Sequence, residues 1–180
     1  MQQPGNDNTG FHEEQQFRQP WLWLLLLATT FTIGGIFIYG MYIQLYLGLP
    51  WGDSPMSDTM LVIVSTLSIS LTAGLTLLFL KLKLITEVNA AGIHVRFYPL
   101  TRKTIRFEDI TSCKARSYSP IREYGGWGIR IGRNGKAYNV YGNTGVQLEF
   151  ANALPLLIGS QRAEDLADII NRHIQNSLPD

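Results

Sequence analysis

The segment Tyr124 to Gly145, YGGWGIRIGRNGKAYNVYGNTG, crowds glycine among aromatic and basic residues. Two chemistries use such a composition: backbone amides of a glycine loop cradle a phosphate, or glycines supply the turns of a sheet. Spacing decides between them. A P-loop needs a glycine five residues before its Gly-Lys pair and Ser or Thr after it. Ahead of Gly135-Lys136 that place is Arg130, and Ala137 follows. The dinucleotide fingerprint Gly-x-Gly-x-x-Gly fails as well, because after Gly126 and Gly128 the third place is Ile131. The glycines therefore read as turns, and Asn134-Gly135 is the preferred centre of a two-residue hairpin.

No other constellation points to catalysis. Glu108 and Asp109 are adjacent in a turn pattern, which favours solvation over acid/base work. Cys113, the single cysteine, forbids an intrachain disulfide and falls at an inward position of an alternating segment, as a small core residue does. His12, His94 and His173 are scattered and make no metal-ligand spacing with it. His173 sits at the edge of an apolar helix face. The expectation is a non-enzyme with no cofactor, no metal and no nucleic-acid partner.

Two groups of residues are candidates for binding. Lys81, Lys83, Arg96, Arg102, Arg106, Lys114 and Arg116 alternate outward from adjacent strands. A basic residue near an anionic leaflet contributes about 1 kcal/mol, so this face reads either as a lipid contact or as an ordinary solvated surface. Tyr118, Arg122, Tyr124, Trp127 and Arg130 read as an exposed edge for a protein partner, with packing of Trp127 in the core as the alternative.

The elements that carry these residues follow from a split in composition. Over 180 residues the formal net charge is +1, yet the first 80 residues hold one basic residue, Arg18, against Asp7, Glu13, Glu14, Asp53 and Asp58. From Gln19 to Gly52 nothing but tyrosine is ionisable. That run exceeds the roughly 20 residues that cross a bilayer core, with Trp21 and Trp23 at one end and Tyr39, Tyr42, Tyr46 and Trp51 towards the other. Met60 to Leu80 is a second such run. Thr66, Ser70 and Gly74 recur on it at four-residue spacing, and Ala28 and Thr32, or Thr30 and Gly34, supply a matching small face on the first. The joining loop has Asp53 and Asp58 but no Lys or Arg, whereas Arg18 precedes the first run and Lys81 and Lys83 follow the second. The positive-inside rule then puts both termini in the cytoplasm, in an inner (cell) membrane.

Ahead of the spans, QQPGNDNTG reads as disordered. FHEEQQFRQ reads as either a short interfacial helix anchored by Phe11 and Phe17 or an untethered polar tail. After Leu80 the period changes to the alternation of half-buried strands: Leu82, Leu84 and Val88; Ile93, Val95 and Phe97; Ile105 and Phe107; Trp127, Ile129 and Ile131; Val146, Leu148 and Phe150. The short run LLIG follows, and SQRAEDLADIINRHIQNSL closes as a helix with Ser160 as its cap and Leu166, Ile169, Ile170 and Ile174 on one face. Seven or eight antiparallel strands and one amphipathic helix bury their apolar surfaces as an open barrel plugged by the helix.

LLIGSQRAEDLADII resembles the end of the PH-like domains of bacterial membrane proteins, where a last strand ending in Gly-Ser or Gly-Thr enters a closing helix with a Glu/Asp-x-Leu motif. The matching residues are Ile158, Gly159, Ser160, Glu164, Leu166 and Ile169. FEDI, Phe107 to Ile110, is similar to the family's turn between its third and fourth strands, and FRQPWLW and YGGWGIR are similar to a small prokaryotic two-span family of unknown function. The resemblance implies an α+β fold: a transmembrane helical hairpin followed by a PH-like antiparallel β-barrel capped by a C-terminal amphipathic helix. The expected divisions are a tail at 1–19, spans at 20–48 and 59–80, an external loop at 49–58 and the PH-like domain at 81–180. One departure matters: the first hairpin loop, NAAG, is uncharged, so a phosphoinositide pocket does not carry over. The function expected is a membrane-anchored, non-enzymatic module for protein interaction, scaffolding or complex assembly at the cytoplasmic face. The alternative is an electrostatic sensor of anionic lipids.

Overall fold

The computed structural model describes residues 10–132 and 134–177, so the expectation for Gln2 to Thr9 lies outside the described residues. The chain divides into two compact units, Arg18–Lys81 and a second made of Met1–Phe17 with Leu82–Asp180.

The first unit is a pair of helices, each long and apolar enough to cross a membrane. Helix α1, Pro20–Met41, starts with proline at its first position, where the missing N–H is not needed, and continues through a π-helical turn, Tyr42–Tyr46. Helix α2 spans Asp58–Lys81. The helices meet where the hydroxyls of Thr30 and Thr76 lie 3.0 Å apart, so that one donates to the other, which donates to a carbonyl of its own helix. The buried residues of α2 are Leu61, Ser65 and Thr76. Thr66, Ser70 and Gly74 are exposed instead, because one residue turns a helix by about 100° and the contact stripe runs through Ser65, not Thr66.

The second unit is α+β, with strands β1 Phe11–Gln16, β2 Lys83–Asn89, β3 Gly92–Tyr98, β4 Thr101–Ile105, β5 Ile110–Ser117, β6 Gly128–Gly132, β7 Gly135–Asn139, β8 Thr144–Phe150 and β9 Leu156–Gly159. Helix α3, Pro120–Tyr124, lies between β5 and β6, and α4, Ala163–Ser177, ends the described chain. The strands form two sheets, β1-β2-β3-β4 and β5-β8-β9-β7-β6. Three expectations are corrected here. The strands, expected as one antiparallel sheet curved into an open barrel, are divided between two sheets, and no closed barrel is found among the described residues. The second sheet is mixed, because β9 runs parallel to β7. And the segment expected to be an interfacial helix or a free tail is a strand.

That strand pairs antiparallel with β2 over six residues, from Phe11 opposite Val88 to Gln16 opposite Lys83. Phe11, Glu13 and Gln15 share one face of β1, and two of the three are polar, so the strand carries almost no apolar alternation. Glu13 and the Gln15 amide nitrogen find partners elsewhere, while Gln15 Oε1 is buried without one among the described residues. Gln15 Nε2 donates to the carbonyl of Gly159 (2.8 Å), and the Glu13 carboxylate accepts from Ser160 Oγ (2.5 Å) and from the Gln161 amide (2.9 Å). Arg162 donates to the His12 carbonyl (2.6 Å) and stacks over Phe11. A carboxylate thus sits at the amino end of α4, where the helix dipole favours it.

Strand β9 is buried along its whole length. A strand apolar on both faces needs cover on both and belongs in the middle of a sheet; accordingly it inserts between β7 and β8, which the sequence joins by a short turn. The core is built from Leu84, Val88, Ile93, Val95 and Phe97 of the first sheet, Leu148, Leu156 and Ile158 of the second, and Leu166 and Ile170 of α4. His173 stacks on Phe107 at 4.8 Å, at the edge of the α4 face where it was expected.

Candidate functional site

Strand β6 ends the second sheet. Trp127, Ile129 and Ile131 were expected on one side of a half-buried strand, but Ile129 and Ile131 are 41% and 73% exposed, because among the described residues no element covers that face of the last strand. Beside β6, α3 begins with Pro120 at its first position, and the Glu123 carboxylate accepts from the Ser119 amide (2.7 Å). Left-handed Gly125 (φ 73°) ends the helix, and the amides of Gly125 and Gly126 return to the carbonyls of Ile121 and Pro120. The helix packs so close over β6 that a Cβ on Gly132 would overlap the Glu123 carbonyl oxygen.

The aromatic residues expected to form an exposed edge here support it from behind. Tyr118 and Tyr124 are only 5% and 3% exposed and meet edge to face at 6.0 Å, in a cluster with Ala137 and Leu157. Buried Asn139 donates to the Tyr118 hydroxyl (3.0 Å) and accepts from the Gly128 amide (2.9 Å), tying β7 to both β6 and the tyrosine. Burial pushes the Tyr118 hydroxyl up to about 12, so it remains a neutral partner for Asn139. Trp127 is half-buried, its indole N–H donating to the Gly142 carbonyl (3.0 Å). Arg122 and Arg130 are exposed, and Arg130 Nε donates to the Trp127 carbonyl (2.9 Å). The exposed side chains of this corner are therefore Ile129 and Ile131 on one face of β6, and Arg130 on the other, where α3 adds Ile121 and Arg122. The three isoleucines were missed because alternation shows that Ile129 and Ile131 share a face, not that the face is left bare.

Within the sheet unit, the basic residues expected on one face are divided between the two sheets and differ in their partners. Arg116 is drawn into the corner just described, bonding Gln147 Oε1 (3.0 Å), the Tyr124 hydroxyl (3.2 Å) and the Glu123 carboxylate (2.9 Å). The hydrogen bond from Arg116 holds Glu123 below the ordinary carboxylate value, against the opposing effect of burial. Lys83 pairs with Glu14 at 2.7 Å, and Arg106 lies 3.5 Å from Asp109 and 4.0 Å from Glu108. Lys114 is exposed on β5 of the other sheet, and Lys81 ends α2 in the other unit. Arg96 and Arg102 are directly opposed: they face each other across β3 and β4, both exposed, with no acidic partner among the described residues. Like charges directly opposed across a ladder are unfavourable.

Among the described residues no three His, Cys, Asp or Glu side chains gather in a metal-binding group. Cys113 is buried against α4, its Sγ 3.9 Å from the Ala167 carbonyl, and desolvation, with Asp168 nearby, pushes the thiol up to about 12. Since the thiolate is the reactive form, Cys113 is expected to resist maleimide labelling at pH 8 in the native protein and to label fully in denaturant. Labelling at equal rates in both conditions would contradict its burial.

Compared with known proteins, the chain matches no family model, and no curated protein matches it.

Proposed function

We propose that this chain is a membrane-anchored, non-enzymatic module of PH-like type that holds a protein partner on the corner formed by α3 and β6, at the cytoplasmic face of an inner membrane. The observation that carries the reading is the edge strand β6, which exposes Ile129 and Ile131 (41% and 73%) on one face and Arg130 on the other, beside α3 with its exposed Ile121 and Arg122, on a rigid, hydrogen-bonded support. Apolar anchors rimmed by arginine are the composition of protein-binding surfaces. Anchoring is supported by α1 and α2, which present Leu24, Phe31, Leu67 and Leu71 outward with no protein over them. It is supported also by the ladder between β1 and β2, whose strands flank the helices in sequence. Two strands that pair must lie on one side of a bilayer, which two crossings satisfy and one does not.

A second reading, contact with anionic lipid, is favoured by the opposed Arg96 and Arg102, whose mutual repulsion an anionic headgroup would relieve. One experiment tests both. Because Cys113 is buried, a cysteine introduced as Ile121→Cys or Leu100→Cys takes a benzophenone maleimide selectively. In native membranes, irradiation is expected to give protein adducts from position 121 that disappear when Ile131→Asp is added. Lipid adducts from position 100, next to Arg102, that vanish in high salt would favour the second reading. No protein adduct from 121, or one indifferent to Ile131→Asp, overturns the first.

A further inference from the structure

Strand β6 has a free edge, and its chemistry states what would fit there. The hairpin Gly132 to Gly135 closes β6 on β7, and the register runs Gly132 opposite Gly135, Arg130 opposite Ala137 and Gly128 opposite Asn139. In an antiparallel pair, residues alternate between bonding the partner strand and pointing their N–H and C=O away from it. The Gly128 amide points to Asn139, and the Lys136 amide points away from β6 to the Pro155 carbonyl. The residues that face away are thus Ile129 and Ile131. Their amides and carbonyls form a row of unused donors and acceptors, and their side chains are the exposed isoleucines of the proposed corner.

The opposite face of the strand carries Arg130, with α3 and its exposed Arg122 packed over that face at Gly132. An added strand would meet isoleucine on one face and arginine on the other. A second copy of this chain fits poorly. Arg130 is the middle residue of β6, so antiparallel self-pairing sets Arg130 against Arg130.

Resting on the protein-binding reading above, we propose that β6 accepts an extended segment of a partner protein as a sixth strand, with an acidic residue opposite Arg130 and β-branched apolar residues on either side of it. Backbone hydrogen bonds supply the attachment, and the alternation of apolar and acidic side chains supplies the selection. The isoleucines lose their exposed area to the partner's apolar face, and Arg130 gains a counter-charge.

The test uses the full chain in nanodiscs, with acetylated and amidated peptides Thr-Val-Glu-Val-Thr and Thr-Val-Lys-Val-Thr at millimolar concentration and amide hydrogen exchange read by residue. The glutamate peptide is expected to slow exchange at Ile129 and Ile131 about tenfold, and the lysine peptide to leave it unchanged. Arg130→Glu is expected to exchange the two preferences. Ile131→Pro removes one outward N–H and leaves the ladder with β7 in place, as proline at a strand edge does; it is expected to abolish protection at Ile129 while β7 amides stay protected. Equal protection by both peptides, protection by neither, or protection that survives Ile131→Pro overturns the proposal. If position 121 still gives its Ile131-dependent protein adduct in that case, strand addition alone is discarded and the protein-binding reading stands.

Discussion

A chain lacking residues 1–17 is expected to lose the fold of its sheet unit, although both apolar helices and every residue from Leu82 onward remain. Strand β1 lies before the helices in sequence and is the edge of the first sheet in space. Removing it leaves the edge of β2 unpaired along six residues, beside buried Leu84 and Val88. It also deletes buried Phe11 and Phe17, the latter packed edge to face on Phe97 at 6.4 Å. Burial of a phenylalanine contributes about 1.5–3 kcal/mol. Loss of the Glu13 carboxylate from the start of α4 removes about 1 kcal/mol more. Domain stabilities are only about 5–15 kcal/mol, so a loss on the order of 4–7 kcal/mol leaves little. The buried thiol of Cys113 reports the outcome: in detergent, the truncated chain is expected to label with maleimide at close to the denatured rate. A truncated chain that protects Cys113 as well as the full one would show that β1 is dispensable. For the same reason, a soluble fragment beginning at Leu82 is not a faithful stand-in for the unit.

Gly135→Ala is expected to destabilise the sheet unit by roughly 3 kcal/mol or more, from backbone strain and overlap together. Gly135 has φ 100°, which an L side chain rarely adopts, and an added Cβ would fall on the carbonyl oxygen of Pro155. That carbonyl cannot move away freely, because it accepts the Lys136 amide at 2.8 Å just where parallel β7 and β9 begin to pair. Gly125→Ala is the comparison. Gly125 has φ 73° with no atom within 4 Å of the added Cβ, so only strain of about 1–2 kcal/mol applies. In a domain near 100 residues, each kcal/mol moves the melting temperature by about 4–8 °C. The Gly135 variant should therefore melt well below the Gly125 variant. Equal melting temperatures would mean that β9 does not approach the hairpin this closely.

Local chemistry was enough to identify the elements whose signal lies within one segment. The hairpin forms where Asn134-Gly135 announces it, but Gly135 is the first residue of β7, paired with Gly132, and not the turn centre expected. The two apolar runs, the closing helix with its buried Leu166 and Ile170, and the inward Cys113 depend on period or length. Each stands where local reading put it. The absence of a phosphate loop was equally a matter of spacing. Tertiary structure alone decided the rest. Glu13 and Gln15 read as a solvated tail until their partners at Gly159, Ser160 and Gln161 are known, about 145 residues away. Arg116 and Tyr124 read as surface until they meet Glu123 and Gln147. Ile129 and Ile131 read as core until β6 proves to be the last strand of its sheet. The physical reason is common to all three. Periodicity states which side chains share a face, but burial depends on what covers that face, and Glu13 and the Gln15 amide nitrogen find their hydrogen-bond partners only in a distant segment.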